Sequence, residues 1–447
     1  MSMGKQAGRG APISQVAVFL LAATVVAGCA GVCNTPPQAS RTDTVPDTVP
    51  TDAVSPEATT MSETQPRQAA QLMESFAQRT GLASDQPVKR YLWTDAFAVC
   101  NFLGLAEATD AASHTELAKK LIDQVHHTLG QHRPEDPRQG WLSGLEGEQA
   151  EEHPTRGGLR IGKKLPERPA DVPFEDRLEW DRDGQYFHYL TKWMHALDVA
   201  TRKTGEPKYN RWARELAEVA HRAFTYAPRA GGRPRMYWKM SIDLSRPLVP
   251  SMGHHDPLDG TVTSAQLSAT AGRLEDPAGP RVADEAKRFG TMVARSDLGT
   301  HDPLGIGGLL IDAYRVQQVL GKAPVLDVRW LEDILRGAYV GLRMYAGAGE
   351  LDAPASQRLA FRELGLAIGL YGITPMRRAV RAEPERYGVK VPALLDELAS
   401  FMPLRDDVVS FWSREENRRV RTWIEHQDIN EVMLATALAP EGCLSLP

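Results

Sequence analysis

One local pattern recurs six times in this chain: a small polar cluster followed at once by a strongly apolar helical stretch. The clusters begin at Trp93-Thr94-Asp95, Asp181-Arg182-Asp183, His255-Asp256, His301-Asp302, Ser356-Gln357-Arg358 and His426-Gln427-Asp428. The tetrapeptide His-Asp-Pro-Leu occurs twice, at 255–258 and 301–304. A recurring structural unit of this kind implies an arrangement in which equivalent elements stack on one another. Residues 96–106, 359–370 and 429–438 are apolar almost all round, and 306–316 nearly so. A helix without a polar face must be buried on every side.

The burying partners are present. In residues 209–224, Trp212, Leu216, Val219 and Ala223 recur at helical spacing, with Arg211, Arg214, Glu215, Glu218 and Arg222 between them. Segments 116–131, 281–295 and 326–345 behave alike, and 391–401 more weakly. β-branched alternation is scarce, so a sheet is not expected to organise the domain. The expected fold is all-α: six buried inner helices ringed by six amphipathic outer ones. Segment 68–81 stands where the sixth outer helix would close the ring.

Connections differ at the two ends. Turns at 108–113, 204–208, 275–280 and 321–324 are short, whereas returns at 132–182, 226–254 and 402–425 are long. Each long return leads into the start of an apolar helix. Long loops and polar clusters therefore share one mouth, and long loops in compact domains are usually functional.

The N-terminal part reads differently. Lys5 and Arg9 precede a short apolar run at 16–26, which is too short for an easy membrane span. Val26-Ala27-Gly28-Cys29 resembles the lipobox of bacterial lipoproteins, which implies cleavage after residue 28 and acylation of Cys29. Ala30 follows that cysteine, which by the same resemblance favours the outer membrane. Residues 29–65 read as a Thr/Pro-rich tether, with Asp-Thr-Val-Pro repeated at 43–50. Residues 66–447 are the expected catalytic domain. The four cysteines show no CxxC spacing, no HExxH occurs, and neither a disulfide framework nor a metal or other cofactor is expected. GxSxG is also missing, which removes the usual serine nucleophile motif. Net charge is -5, with no lysine-rich run, so nucleic acid is not an expected partner.

Six inner and six outer helices in this order resemble the (α/α)6 toroid of the six-hairpin glycosidase superfamily. Thr204-Gly205-Glu206-Pro207-Lys208-Tyr209 is similar to hairpin turns of that superfamily. The resemblance implies a carbohydrate substrate and a reaction among glycoside hydrolysis, polysaccharide lysis and sugar epimerisation.

The mouth supplies the candidates. Hydrolysis needs two carboxyls, one as acid and one as base or nucleophile. The pair expected here is Asp183 with Asp256 or Glu431. Asp256-Pro257 and Asp302-Pro303 also suit simple capping, since Asp is a good N-cap and Pro suits the first helical position. His255, His301 and His426 are not explained by capping, and are candidate bases. The resemblance gives His301 and His426 a second meaning, because sugar 2-epimerases carry paired histidines at the fourth and sixth inner helix starts. Trp93, Asp95, Trp180, Tyr186, His188, Trp238 and Asp428 are the expected sugar-binding residues. Six of the nine tryptophans (Trp93, Trp141, Trp180, Trp238, Trp412 and Trp423) fall on this face, and flat rings suit pyranose faces. Arg156, Arg160, Lys163 and Lys164 are placed to meet acidic sugars, or else form a solvated edge. The leading expectation is a lipid-anchored glycoside hydrolase. The alternatives are a sugar isomerase or epimerase, and a glycan-binding lipoprotein without activity.

Overall fold

The computed structural model describes residues 56–229, 231–274 and 278–446, with side chains from residue 64. The expected leader 1–28, the lipidation site Cys29 and most of the tether lie outside the described residues. The compact helical unit begins at Thr60. Among the described residues, no helix is long and apolar enough to cross a membrane.

The inner helices are Leu92–Ala108, Phe187–Thr204, Asp256–Ala271, Pro303–Val319, Ala360–Tyr371 and Gln427–Leu438. Each packs against the next, and the sixth packs against the first, so the ring is closed. The fold is an all-α toroid, as the alternation of apolar and amphipathic stretches requires. Ala112–Leu129, Pro207–Phe224, Ala283–Met292 and Val328–Gly347 form the first four outer positions. Close approach inside the ring depends on small residues. A Cβ on Gly307 would lie 2.1 Å from the carbonyl oxygen of Gly365, and one on Gly369 would lie 2.5 Å from that of Gly307. The fourth and fifth inner helices thus meet backbone to backbone.

The last two outer positions differ from the sequence reading. Lys390–Ala399 was expected in the fifth, but packs on Val328–Gly347 and on Ile373–Ala382. The fifth place is taken by Met402–Ser413, which lies on the fifth and sixth inner helices. Its Arg405, Asp406 and Asp407 obscure an apolar face formed by Val408, Val409 and Trp412, so that it reads as loop. Pro56–Arg79 fills the sixth place. Met73 is buried there, with its Sδ 3.4 Å from Asn101 Nδ2 of the first inner helix. This helix starts before residue 66, because Pro56 suits a first turn and Glu57, Ala58, Met61 and Glu63 are good helix formers.

Two returning loops are tied together at the mouth by a small antiparallel sheet. Lys239–Met240 lies between Gln185–Tyr186 and Pro247–Val249. Strand Gln185–Tyr186 runs directly into the second inner helix, so the sheet fixes where that helix begins.

Candidate active site

The two His-Asp-Pro-Leu copies differ in helical register by one residue, and their aspartates differ in chemistry. Asp302 precedes its helix as the N-cap, accepts from Leu304 N (3.4 Å) and Gly305 N (3.2 Å), and pairs with Arg362 at 2.7 Å. It is a cap, as the sequence suggested. Asp256 is instead the first residue inside its helix, with His255 at the cap position. Its carboxyl is buried against Gly253 and makes no cap bond, and its Oδ2 has no hydrogen-bond partner. Burial, and then the charge of Asp259, push Asp256 up to about 7.

One turn deeper, Lys192 Nζ donates to Asp259 Oδ1 at 2.9 Å. Burial raises the Asp259 carboxyl, but the Lys192 ammonium and a hydrogen bond from Asp312 outweigh it and hold Asp259 below its ordinary value. Asp312 takes the opposite course, pushed up to about 7 by burial and by Asp259. Asp259 is thus favoured in its charged form, while Asp312 beside it is pushed towards its protonated one. Arg315 closes this layer, bonding Asp312 at 2.9 Å and Thr263 at 3.0 Å. Helices two, three and four each contribute: residues 188 and 192, 256 and 259, and 312 and 315 lie three or four apart, hence on one face of each helix.

Above Asp259 stands an aromatic wall. Trp238 Nε1 donates to His188 Nδ1 at 3.2 Å. Since Nδ1 accepts, the neutral imidazole carries its proton on Nε2. Burial keeps the ring neutral, lowering His188 to about 4 against the opposing charge of Asp259. Tyr186 stacks on His188 and Trp238, with centroids at 5.5 and 5.9 Å, and Trp180 meets Trp238 edge-on at 4.8 Å. Tyr189 joins Tyr186 at 5.2 Å, and its hydroxyl is 2.6 Å from that of Tyr91. Lys163 lies over the Tyr91 ring at 5.4 Å. Four of the expected sugar-binding residues, Trp180, Tyr186, His188 and Trp238, are thus brought together.

The expected catalytic residues do not form one cluster. Asp183 is fully buried and latched to Arg160 at 2.6 Å and Arg133 at 3.5 Å. It also accepts from Gly162 N (3.0 Å), Gly184 N (3.1 Å) and Lys163 N (3.4 Å). A carboxylate so surrounded anchors the 132–182 loop and has no free lone pair for substrate. Arg160 is consumed by the same latch, and Arg156 by Glu215 at 3.2 Å. Glu431 pairs with Arg79 at 2.7 Å and accepts from Gln427, and the same Arg79 holds Asp428 at 2.8 Å. These contacts join the closing outer helix to the sixth inner one. Trp93 is buried against Phe97 at 4.6 Å, and Asp95 accepts from Tyr91 N at 2.8 Å beside Arg90. Burial raises Asp95 to about 6 despite that arginine. Both belong to the packing of the first inner helix rather than to a sugar-binding surface. His255 binds the Leu298 carbonyl at 2.9 Å and stacks on His254, and burial followed by the His254 charge lowers it to about 4. His301 is exposed, and His426 packs edge-on against Phe361 at 5.8 Å. At the fifth start, Arg358 forms a fork with Glu363 at 2.6 and 2.9 Å.

Lys192, Tyr189, Asp259, Asp312 and Arg315 were missed in the sequence. The available signal was a charged residue recurring inside a helix that is otherwise buried, which is costly unless paired.

No family model matches the chain, and no curated protein is recognisably related to it. Several solved structures are similar in fold. A sugar epimerase from a ruminal bacterium has a TM-score of 0.44 at 11% identity, covering 84% of this chain and 98% of its own. The cellobiose 2-epimerase from Spirochaeta thermophila DSM 6192 has a TM-score of 0.42 at 11% identity, covering 84% and 97%. A D-mannose isomerase has a TM-score of 0.42 at 11% identity, covering 76% and 85%. Identity at this level leaves the activity of this chain to be argued from its own residues.

Proposed function

We propose that this chain is a carbohydrate-active enzyme that moves a proton on a reducing sugar, as an isomerase or epimerase does, rather than a glycoside hydrolase. The carrying observation is the group His188, Lys192, Asp256 and Asp259 beneath an aromatic wall. Hydrolysis would require two available carboxyls at the mouth, and Asp183 and Glu431 are both occupied by arginines. Asp256 remains, with a free Oδ2 and an affinity for protons near neutrality, which suits a general base that must take up and return one.

The reading assigns roles as follows. Trp238 and Trp180, backed by the buried Tyr186, offer flat surfaces to an open-chain or pyranose sugar. Asp256 removes the proton on the carbon next to the carbonyl. The His188 Nε2–H and the Lys192 ammonium stabilise the negative charge that develops on oxygen, as donors fixed in place before reaction. Return of the proton by Asp256 to the neighbouring carbon gives the isomer, and return to the same carbon after the enediolate has turned its other face to Asp256 gives the epimer. Asp259 holds Lys192 in position. The sequence adds a proposed lipid anchor at Cys29, with attachment to a bacterial outer membrane.

The test is incubation of the purified domain with a panel of aldoses and disaccharides in deuterated water, followed by proton NMR. Deuterium on the carbon next to the carbonyl, lost in Asp256→Asn, is expected. New reducing ends from polysaccharide without deuterium uptake would return the enzyme to hydrolysis, and binding without either would make it a glycan-binding protein.

A further inference from the structure

We propose that Cys100, His195 and Cys443 form a structural site for a soft transition-metal ion, Zn(II) being the first candidate, which locks the C-terminal segment into the ring. Cys100 lies midway along the first inner helix, His195 midway along the second, and Cys443 in the short terminal helix Glu441–Leu444. All three are buried, and their ligand atoms lie within 4.8 Å of one another. Cys443 Sγ is 4.0 Å from His195 Nε2. Two sulfurs and one imidazole are a common donor set for zinc. The Cys443 carbonyl oxygen, 2.8 Å from the same nitrogen, supplies a fourth donor.

The surroundings of His195 make this more than proximity. Gln266 Nε2 donates to Asp198 at 2.7 Å, and Gln266 Oε1 accepts from Arg315 at 2.7 Å, which fixes the direction of the amide. Oε1 therefore faces His195 Nδ1, at 3.2 Å, and accepts its hydrogen bond. The lone pair of a neutral ring is then on Nε2, turned towards both sulfurs and against the Cys443 carbonyl oxygen. Two lone pairs meeting at that distance are unfavourable unless a cation stands beside them. An outer partner that fixes the tautomer and aims the free nitrogen is the usual support of a histidine ligand.

The backbone is shaped to bring the sulfurs together. A Cβ on Gly104 would lie 2.5 Å from Gly442 Cα, and one on Gly442 would lie 2.8 Å from the Cys100 carbonyl oxygen. Gln318 also exchanges hydrogen bonds with Leu444 O (2.9 Å) and Leu446 N (2.7 Å). The site lies too deep for entry after folding, so the ion is taken up as the C-terminal segment docks. Each thiol gives up a proton to solvent as its sulfur binds the metal.

The site does not depend on the proposed sugar chemistry. The experiment uses the full chain, unfolded under reducing conditions with chelator, and refolded with Zn(II), with Co(II) or without metal. About one zinc per chain, retained through gel filtration, and a thiolate-to-cobalt charge-transfer band are expected. Thermal stability should fall in the chain refolded without metal, and Cys100→Ser should lose the cobalt band. Refolding without metal uptake while both thiols stay reactive would overturn the proposal. An intact mass lower by two hydrogens would overturn it in favour of a Cys100–Cys443 disulfide.

Discussion

Replacing Asp183 by Asn separates a latch from a catalytic carboxyl. The substitution keeps the shape and removes the charge, leaving the buried Arg160 opposite an amide. Breaking a buried ion pair from one side costs about 3–5 kcal/mol. The lower end applies here, because Arg160 also donates to Gln131 O and Thr128 O, and an Asn oxygen still accepts from Gly162 N or Gly184 N. With an unfolding entropy of about 2 cal/mol/K per residue over the helical unit, about 3 kcal/mol lowers Tm by about 4 °C. Calorimetry on the purified domain measures this, and the deuterium-exchange assay measures turnover of the same samples. Removing both partners, as Asp183→Asn with Arg160→Met, should recover part of the loss, because no buried charge is then left alone. An unchanged Tm with abolished turnover would refute the latch and make Asp183 a participant in the chemistry.

Three further outcomes are expected. The Asp256 carboxyl is raised in the folded state from 3.8 to about 7, so its burial costs nothing below pH 4 and progressively more as pH rises to about 7. Asp256→Asn should therefore be more stable than the parent above pH 7, by at most about 4 kcal/mol, with the gap closing as the pH falls to 4 in urea titrations; a pH-independent difference would exclude a buried titrating carboxyl. Gly307→Ala should cost about 3 kcal/mol or more, read by denaturant unfolding, because its Cβ meets the Gly365 backbone; a neutral effect would mean that the two helices are not in contact. Cys29→Ser should abolish labelling by a radioactive fatty acid and release the protein from membranes, and retained label would remove the anchor.

The ring was legible because apolar and amphipathic periodicity are local properties of the chain. Residues 209–224 announce one buried face, and residues 429–438 announce burial on all sides. Capping at Asp302 was equally local. Met402–Ser413 was not legible, because its charged first turns hide an apolar face that matters only against two other helices. The mouth itself followed from loop lengths, and Trp180, Tyr186 and His188 crowd one helix start in the sequence, whereas Trp238 joins them only through the pairing of Lys239–Met240 with Gln185–Tyr186.

Which of the mouth residues are free was decided by tertiary structure. The sequence offers Asp183 with either Asp256 or Glu431, and the arginines that occupy Asp183 and Glu431 come from other elements: Arg160 from the long loop, Arg79 from the closing helix. The identical His-Asp-Pro-Leu pair shows the same division. A one-residue difference in helix register makes Asp302 a half-exposed cap and Asp256 a buried carboxyl, although the tetrapeptide is the same. Cys100, His195 and Cys443 are the extreme case. Hundreds of residues separate the first from the last, and only closure of the ring and docking of the terminal helix bring them together. Periodicity and capping act within a few residues and can be read along the chain, whereas pairing and ligation depend on distances that exist only after folding.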